Sequence, residues 1–585
     1  MARLLGAVGH RAARLLNADA FDWRLGGRPA NPLRLALDAL DARVGGLDPR
    51  VPREYLGVLG AASRGSDLTS VQSPVFAARH AAARAAAADR RARGLPVDPF
   101  TPDGDTWAFT VPNLPLVRFR GPHAVDTGGR APPGPLLPIY CVQGATALRE
   151  VFTGPNFDRG AVPYHVLAQA IGTPSVPATD EAHGAGLFAG RMTRNATWKD
   201  DRRLSLRLVG AKALDGLLPG MVAALDEIVA EIDAFVSARP GEVIDGTVLM
   251  SRVAFRMILR AAFGAVDDPA FDRLGQRLRV AVREVLHYFS TARYLTHARA
   301  MMRSVGRAKA TLAEMGARIR ALHAAGALDP AAADTPLLRY VLHGADGEGP
   351  PSDDRLYALL VPILFGGHET TGYALAWTLY HLGLDPDLER RYLDELAAFE
   401  RDHPGEPAGL ALVDERPLQQ ALIYEIGRRY PPVVASARMA LAPGEIGPDP
   451  ETGIGAFRYP ANALFLAEIT SAHLDPRRYP DPLRVDVDRW LAGTAGLPRA
   501  EAGRAVRARY IAAEKRFDYV LFGAGPAKCL GQAFNQLEQN LVLDALLGRF
   551  RFELADPGRP VRKTRAAISG PEPGSVAVRI RRRAS

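Results

Sequence analysis

Apolar residues recur at helical spacing through most of the long segments between about residues 146 and 425, which predicts a succession of amphipathic and buried helices. Upstream, Ser73-Pro74 reads as a helix cap and first turn, Val75 to Arg93 as an alanine-rich helix, and Gly94 as its stop. Strand-like runs are few. Leu116 to Phe119 and Leu136 to Val142 precede the helical stretch, and Ala463 to Ala467 and Ser575 to Ile580 follow it. The expected fold class is therefore mainly α with a small β region, and no internal repeat is evident.

At the N-terminus, Leu4, Leu5, Val8, Ala12, Leu15 and Leu16 form an apolar stripe opposite Arg3, His10, Arg11 and Arg14. That stripe suits either an anionic membrane surface or the body of the protein itself. Residues 21 to 70 are rich in glycine, proline and charge and predict no element, so residues 1–70 read as an N-terminal extension and 71–585 as the main domain. The most apolar run noted, Leu359 to Phe365, falls short of a membrane span, so the expectation is no transmembrane anchor.

Composition narrows the setting. Of 585 residues 47% are hydrophobic, enough for a large core, and the net charge of +9 is spread as scattered arginines rather than as a basic patch interleaved with aromatics. No nucleic-acid partner is expected. Two cysteines, Cys141 and Cys529, cannot build a disulfide framework, which points to a reducing, cytoplasmic setting with peripheral membrane contact as the variant.

Cys529 sits in Phe522-Gly523-Ala524-Gly525-Pro526-Ala527-Lys528-Cys529-Leu530-Gly531, a glycine-rich loop just before a helix-like stretch. Amides and the positive end of the following helix favour a thiolate, suited to attack an electrophile, exchange disulfides or bind a metal. Far upstream, Gly366 and Gly367 interrupt an apolar helix at a cost of roughly 1 kcal/mol each relative to alanine. A flat ligand against the backbone would compensate, and Glu369 and Thr370 beside the gap are the parts of a proton relay. His368-Glu369 begins a zinc-protease pattern, but the second histidine is replaced by Gly372. Glu425 and Arg428 share a helix face, and Arg489 is placed to complete a cluster with them.

The sequence Gly-Gly-His-Glu-Thr-Thr, then Glu-x-x-Arg, then Asp-x-Asp-Arg-Trp, then Phe-Gly-x-Gly-x-x-x-Cys-x-Gly resembles the cytochrome P450 superfamily of heme-thiolate monooxygenases. The resemblance covers roughly residues 75 to 585 and includes Trp198-Lys199-Asp200-Asp201-Arg202. It implies the cytochrome P450 fold, with heme b between the Gly-Gly-His-Glu-Thr-Thr helix and the cysteine loop. Cys529 would be the ligand of the heme iron, with Phe522, Gly525 and Gly531 shaping its loop. Trp198, Arg202 and Arg438 would hold the heme carboxylates, and Glu369 and Thr370 would deliver protons while Gly366 and Gly367 leave room for dioxygen. Glu425, Arg428 and Arg489 would be structural. Phe365, Gly366, Val433, Val434, Ala435 and Ile568 would line a pocket for a hydrophobic, lipid-like or secondary-metabolite-like molecule, with segments around Pro163 to His183 and Leu286 to Tyr294 closing over it.

One position departs from the family pattern. Ala527 stands where an arginine or histidine usually reaches a heme carboxylate. No second cofactor domain is evident, so the implied electron source is a separate ferredoxin or flavoprotein reductase, docking on a face that includes Lys199, Arg203, Lys515 and Lys528. Two other readings stay open: a peroxide-using peroxygenase or hydroperoxide isomerase, and a non-catalytic heme sensor or electron-transfer protein.

Overall fold

The computed structural model describes residues 139–159 and 196–583 with short breaks, together with an antiparallel pair of Arg24–Leu25 with Arg28–Pro29. The stripe of residues 1–20, the expected helix over 75–93, the strand run 116–119, the closing segment 163–183 and part of 286–294 lie outside the described residues.

Burial explains the central helices. Helix α1 covers Ala145–Thr153, α2 Ala196–Val209, α3 Leu214–Ala238 and α4 Gly246–Phe263. Asp245 caps α4, its carboxylate accepting from the amides of Thr247 at 2.9 Å and Val248 at 3.3 Å. Helices α5 (Pro269–Ser290) and α6 (Tyr294–Ala324) pack side by side, and α7 (Pro336–His343) follows. The long α8 runs from Asp353 to Leu384, starting at a Ser352 cap with Asp353 and Asp354 in its first turn, where negative charge complements the helix dipole. Its contact with α4 is close because Gly372 has no side chain: a Cβ there would stand 2.7 Å from the Ser251 Cα. Apolar side chains on both sides of α8 are therefore buried, as its sequence foretold.

Helices α9 (Pro386–Asp402) and α10 (Pro417–Arg429) lead to the strands. In the larger sheet β1 (Ile139–Val142) pairs parallel with β7 (Leu464–Glu468), which pairs antiparallel with β4 (Ala435–Ala440), and β4 with β2 (Phe157–Asp158). A second sheet joins β8 (Phe550–Leu554), β9 (Ala577–Arg582) and β3 (Val243–Asp245), and β5 (Gly444–Ile446) pairs with β6 (Phe457–Tyr459). Helices α11 (Ile469–His473), α12 (Asp488–Leu491), α13 (Arg499–Arg516) and α14 (Gln532–Arg549) complete the described chain.

One stretch differs from expectation. Trp198–Ala238, 41 residues, contains a window long and apolar enough to cross a membrane, with mean hydropathy 1.5. In the fold 56% of that window is buried, because Leu214, Leu217, Met221 and Leu225 of α3 face the main core. Core packing accounts for its apolar character.

Candidate active site

Glycine geometry shapes the cysteine loop. Gly525 has φ +68°, and a Cβ on it would lie 2.4 Å from the Phe152 carbonyl oxygen, so no side chain fits there. The chain then turns back so that the Cys529 amide donates to the Phe522 carbonyl at 2.8 Å. Phe522 is half-buried beside it and α14 starts three residues past the cysteine, with Gly531 at its cap. The Cys529 side chain is exposed to a hollow that protein encloses. That enclosure pushes the thiol up, while the Gly531 amide and the cations of Arg202, Arg159 and Lys528 act in the opposite direction.

Those cations come from separate elements. Arg202 and Trp198 are four apart on α2, the guanidinium 5.6 Å from the indole centroid, and Arg202 Nη2 donates to the Lys528 carbonyl at 2.8 Å. Trp198 is buried against Ala527, and its Nε1 has no hydrogen-bond partner among the described residues. Arg159, not singled out in the sequence, donates from Nη2 to the Ala527 carbonyl at 3.2 Å. Arg438, on β4, is buried, with Nη1 donating to Ser436 Oγ at 2.9 Å and the Ala437 carbonyl at 2.8 Å. The Lys528 ammonium turns to both Glu514 oxygens at 3.1 Å, so its charge is matched within the protein.

Helix α8 supplies the other side. Most of its neighbouring positions are buried, yet Gly366, Gly367 and Thr370 are partly accessible. The two glycines serve different ends: a Cβ on Gly367 would meet the Ile258 side chain at 2.3 Å, so this glycine accommodates α4 rather than opening the hollow as expected. Gly366 and Thr370 share a face, with Thr370 Oγ1 donating to the Gly366 carbonyl at 2.7 Å. Glu369 is turned elsewhere: it accepts from Tyr373 Oη at 2.9 Å, and Arg283 Nε of α5 is 3.9 Å away. His368 is fully buried, its Nδ1 2.7 Å from the Leu364 carbonyl, and desolvation holds its pKa down. Phe365 is buried.

Of the expected pocket residues, Val433 and Ile568 form an isolated β-bridge, while Val434 is buried and Ala435 opens β4 half-buried. The α8 side is tied to the cysteine side by Asn535 of α14, whose Nδ2 donates to Thr371 Oγ1 at 2.8 Å. Beside it Glu538 is fully buried, and burial pushes its carboxyl well above the usual carboxylate range, with the Thr371 hydroxyl opposing.

Beneath the loop, Glu425 is the hub of a buried cluster. Arg428 holds both its oxygens, at 2.7 and 2.8 Å, Arg489 Nε approaches Oε1 at 3.1 Å, and Trp490 Nε1 donates to Oε2 at 2.9 Å. Arg428 also donates to the carbonyls of His473 (2.9 Å), Pro482 (2.8 Å) and Arg484 (3.0 Å), gathering the irregular segment before the cysteine loop. His473 Nδ1 faces the Arg428 carbonyl at 3.2 Å and its Nε2 accepts from the Val520 amide at 2.8 Å. In the sequence Trp490 is visible only as the end of the Asp-x-Asp-Arg-Trp segment, and nothing there joins it or His473 to this cluster.

The described site thus holds an exposed cysteine sulfur with the cations of Arg202, Arg159 and Lys528 around it, and a long buried helix that is accessible at Gly366 and Thr370. The family model named Cytochrome P450 matches residues 172–578. The chain belongs to the cytochrome P450 family. It is 30% identical over 229 residues to Cytochrome P450 monooxygenase sphH of Aspergillus fumigatus, covering 38% of each chain. To Cytochrome P450 4c3 of Drosophila melanogaster it is 32% identical over 195 residues, covering 33% of this chain and 32% of the other. These alignments thus span roughly a third of the relatives' length. Among solved structures, the heme domain of a cytochrome P450DA mutant superposes with a TM-score of 0.56 at 20% identity, covering 76% of this chain and 87% of that one.

Heme b is the cofactor of this family, and the residues present fit it. The sulfur is soft and exposed, Gly366 of α8 is partly accessible, and Trp198 Nε1, without a partner among the described residues, offers with the Arg202 cation donors suited to a carboxylate.

Proposed function

We propose that the protein is a heme-thiolate monooxygenase that inserts an oxygen atom from dioxygen into a hydrophobic small molecule, taking electrons from a separate ferredoxin or flavoprotein reductase. The observation that carries this reading is the pairing of an exposed Cys529 with the accessible Gly366–Thr370 face of an otherwise buried helix. Cys529 is the metal-binding residue of this reading, Trp198, Arg202 and Arg438 hold the heme carboxylates, and Phe522, Gly525 and Gly531 keep the loop in shape.

Bound heme supplies the oxygen-activating chemistry. The chain's own residues do the rest. Phe365, Gly366, Val433, Val434, Ala435 and Ile568 exclude water and receive the apolar substrate. Thr370 Oγ1 holds a proton at the edge of the hollow, in its present hydrogen bond to the Gly366 carbonyl, and swings it inward by rotation about χ1. Glu369 resupplies it once it leaves Arg283, since residues 369 and 370 are adjacent while their side chains diverge. Exposed Lys199 and Lys515 favour an acidic electron donor; Arg203, paired with Asp200 at 3.0 Å, and Lys528, engaged by Glu514, are already matched within the chain.

The carbon monoxide spectrum of the reduced protein tests the ligand: a Soret band without the strong red shift of thiolate ligation rejects Cys529. Turnover with surrogate reductase against turnover with peroxide, in wild type and Thr370→Ala, tests the reaction. Reductase-driven product that drops on substitution supports a monooxygenase, and peroxide-only turnover indifferent to Thr370 supports a peroxygenase.

A further inference from the structure

Between helices α5 and α6 lies an open cleft of about 470 Å³ lined by Arg279, Arg283, Glu284, Arg303, Ser304 and Arg307 among others. Four guanidinium groups meet one carboxylate there. That carboxylate is committed: Glu284 accepts from Ser304 Oγ at 2.6 Å and pairs with Arg307. Among the described residues, Arg279 has Gln276 as its side-chain hydrogen-bond partner, at 3.4 Å, and Arg303 has no acidic partner. Nearby Arg252 and Arg256 of α4 are engaged by Glu231, at 3.9 and 2.7 Å. Desolvation and the surrounding cations of Arg252, Arg283 and Arg256 all press the Arg279 pKa down, so its charge is held against the local field.

Arg303 and Arg307 are exposed and Arg279 and Arg283 half-buried, so the cleft is open to solvent, and its arginines outnumber its acids. Here the pairs Arg279/Arg283 and Arg303/Arg307 are each four residues apart on facing helices, so each helix directs one face into the same cleft. Arg283 also approaches Glu369 at 3.9 Å, and Thr370, the next residue on α8, is partly accessible. We propose that this cleft is the head-group subsite for an amphipathic substrate whose carboxylate or phosphate is bound by the converging arginines, its apolar body directed toward Thr370. Guanidinium groups bind both anions through paired N–H donors, which suits a planar or tetrahedral oxyanion more than any neutral head. The subsite rests on the monooxygenase reading and gives it a substrate class. It also links occupancy to proton supply: an anion that draws Arg283 leaves Glu369 held by Tyr373.

Calorimetric titration of the heme-loaded protein with laurate, dodecyl phosphate, dodecanol and inorganic phosphate tests the proposal, in wild type and in the double variant Arg279→Gln/Arg303→Gln. At low salt one of the two amphipathic anions is expected to bind at least about tenfold tighter than dodecanol, with the preference collapsing in the variant and on raising ionic strength. Equal affinity for dodecanol and both anions, no binding of either anion, or a preference that survives in the variant overturns it. Inorganic phosphate binding as tightly as the amphiphiles overturns the head-and-tail assignment. The carbon monoxide spectrum of the same samples keeps the two readings apart: a retained thiolate signature without anion preference removes the subsite alone, and a missing signature removes the reading beneath it.

Discussion

Arg159 Nη2 donates to the carbonyl of Ala527 at 3.2 Å, placing a buried cation beside the loop position that has lost the family's usual basic side chain. The positive charge arrives from the end of β2 instead of from the loop itself. Arg159 acts on the Cys529 thiol in the same direction as Arg202 and Lys528.

Replacing Arg159 by glutamine is therefore expected to raise the pKa of Cys529. In the apo protein, the pH profile of Cys529 alkylation should move to higher pH. The heme-loaded variant should release heme faster, consistent with a lost charge-assisted hydrogen bond of about 1.5–3 kcal/mol. Ala527→Arg should not restore a family-like site, because Ala527 is packed against Trp198 and the longer side chain must displace it. An unchanged alkylation profile in Arg159→Gln would count against the first expectation.

Two glycines of the same loop should respond in opposite ways. Gly525→Ala meets a positive φ and the Phe152 carbonyl at once, so it should destabilise by more than about 1 kcal/mol and yield little heme-loaded protein. Gly531→Ala has φ −87°, and its nearest contact is the Cys529 sulfur at 3.9 Å. Heme content after expression should fall sharply for the first and remain near wild type for the second.

Arg428→Ala should be among the most damaging single changes. It strips Glu425 of two hydrogen bonds in a fully buried setting and leaves three carbonyls without their donor. Breaking a buried pair by removing one partner costs roughly 3–5 kcal/mol. Arg489 is partly exposed and contributes one contact to Glu425, so Arg489→Ala should be milder. Thermal unfolding of the two variants gives the comparison.

Acid should loosen the segment before the cysteine loop through His473. Burial, reinforced by the nearby Arg428 charge, takes its pKa from 6.5 to about 3. Its Nδ1 proton goes to the Arg428 carbonyl, and its Nε2 lone pair receives the Val520 amide, so a second ring proton would face a donor. The folded state thus favours neutral imidazole. The associated stability is complete above pH 6.5, declines as the unfolded chain becomes protonated below that value, and is lost once pH reaches about 3. Melting temperatures of wild type should fall across that window more steeply than those of His473→Gln.

Much of this arrangement was legible in the sequence because it was encoded locally. The glycine spacing around Cys529, the three-residue separation of Glu425 and Arg428, and the apolar runs near 139–142 and 464–468 each specify a short piece of backbone. The strand runs indeed pair with one another as β1 and β7. Contacts set by the packing of distant helices were not legible. Nothing around Arg283 announces Glu369, and nothing around Arg159 announces Ala527, since each is a single basic residue in an arginine-rich chain. Gly366 and Gly367 look alike in sequence, and only the position of Ile258 separates their roles. Glu538, embedded in the apolar pattern of α14, reads as a helix residue until its complete burial is seen.

The bond from Asn535 to Thr371 joins α8, one wall of the proposed heme site, to α14, the helix behind the cysteine loop. It works as a spacer: the distance between the two walls is fixed where the helices cross, independently of what lies between them. Val433 and Ile568, the proposed pocket residues, belong to neither helix. On the proposed reading, such side walls could be exchanged for a different substrate while the gap between α8 and α14 keeps its width.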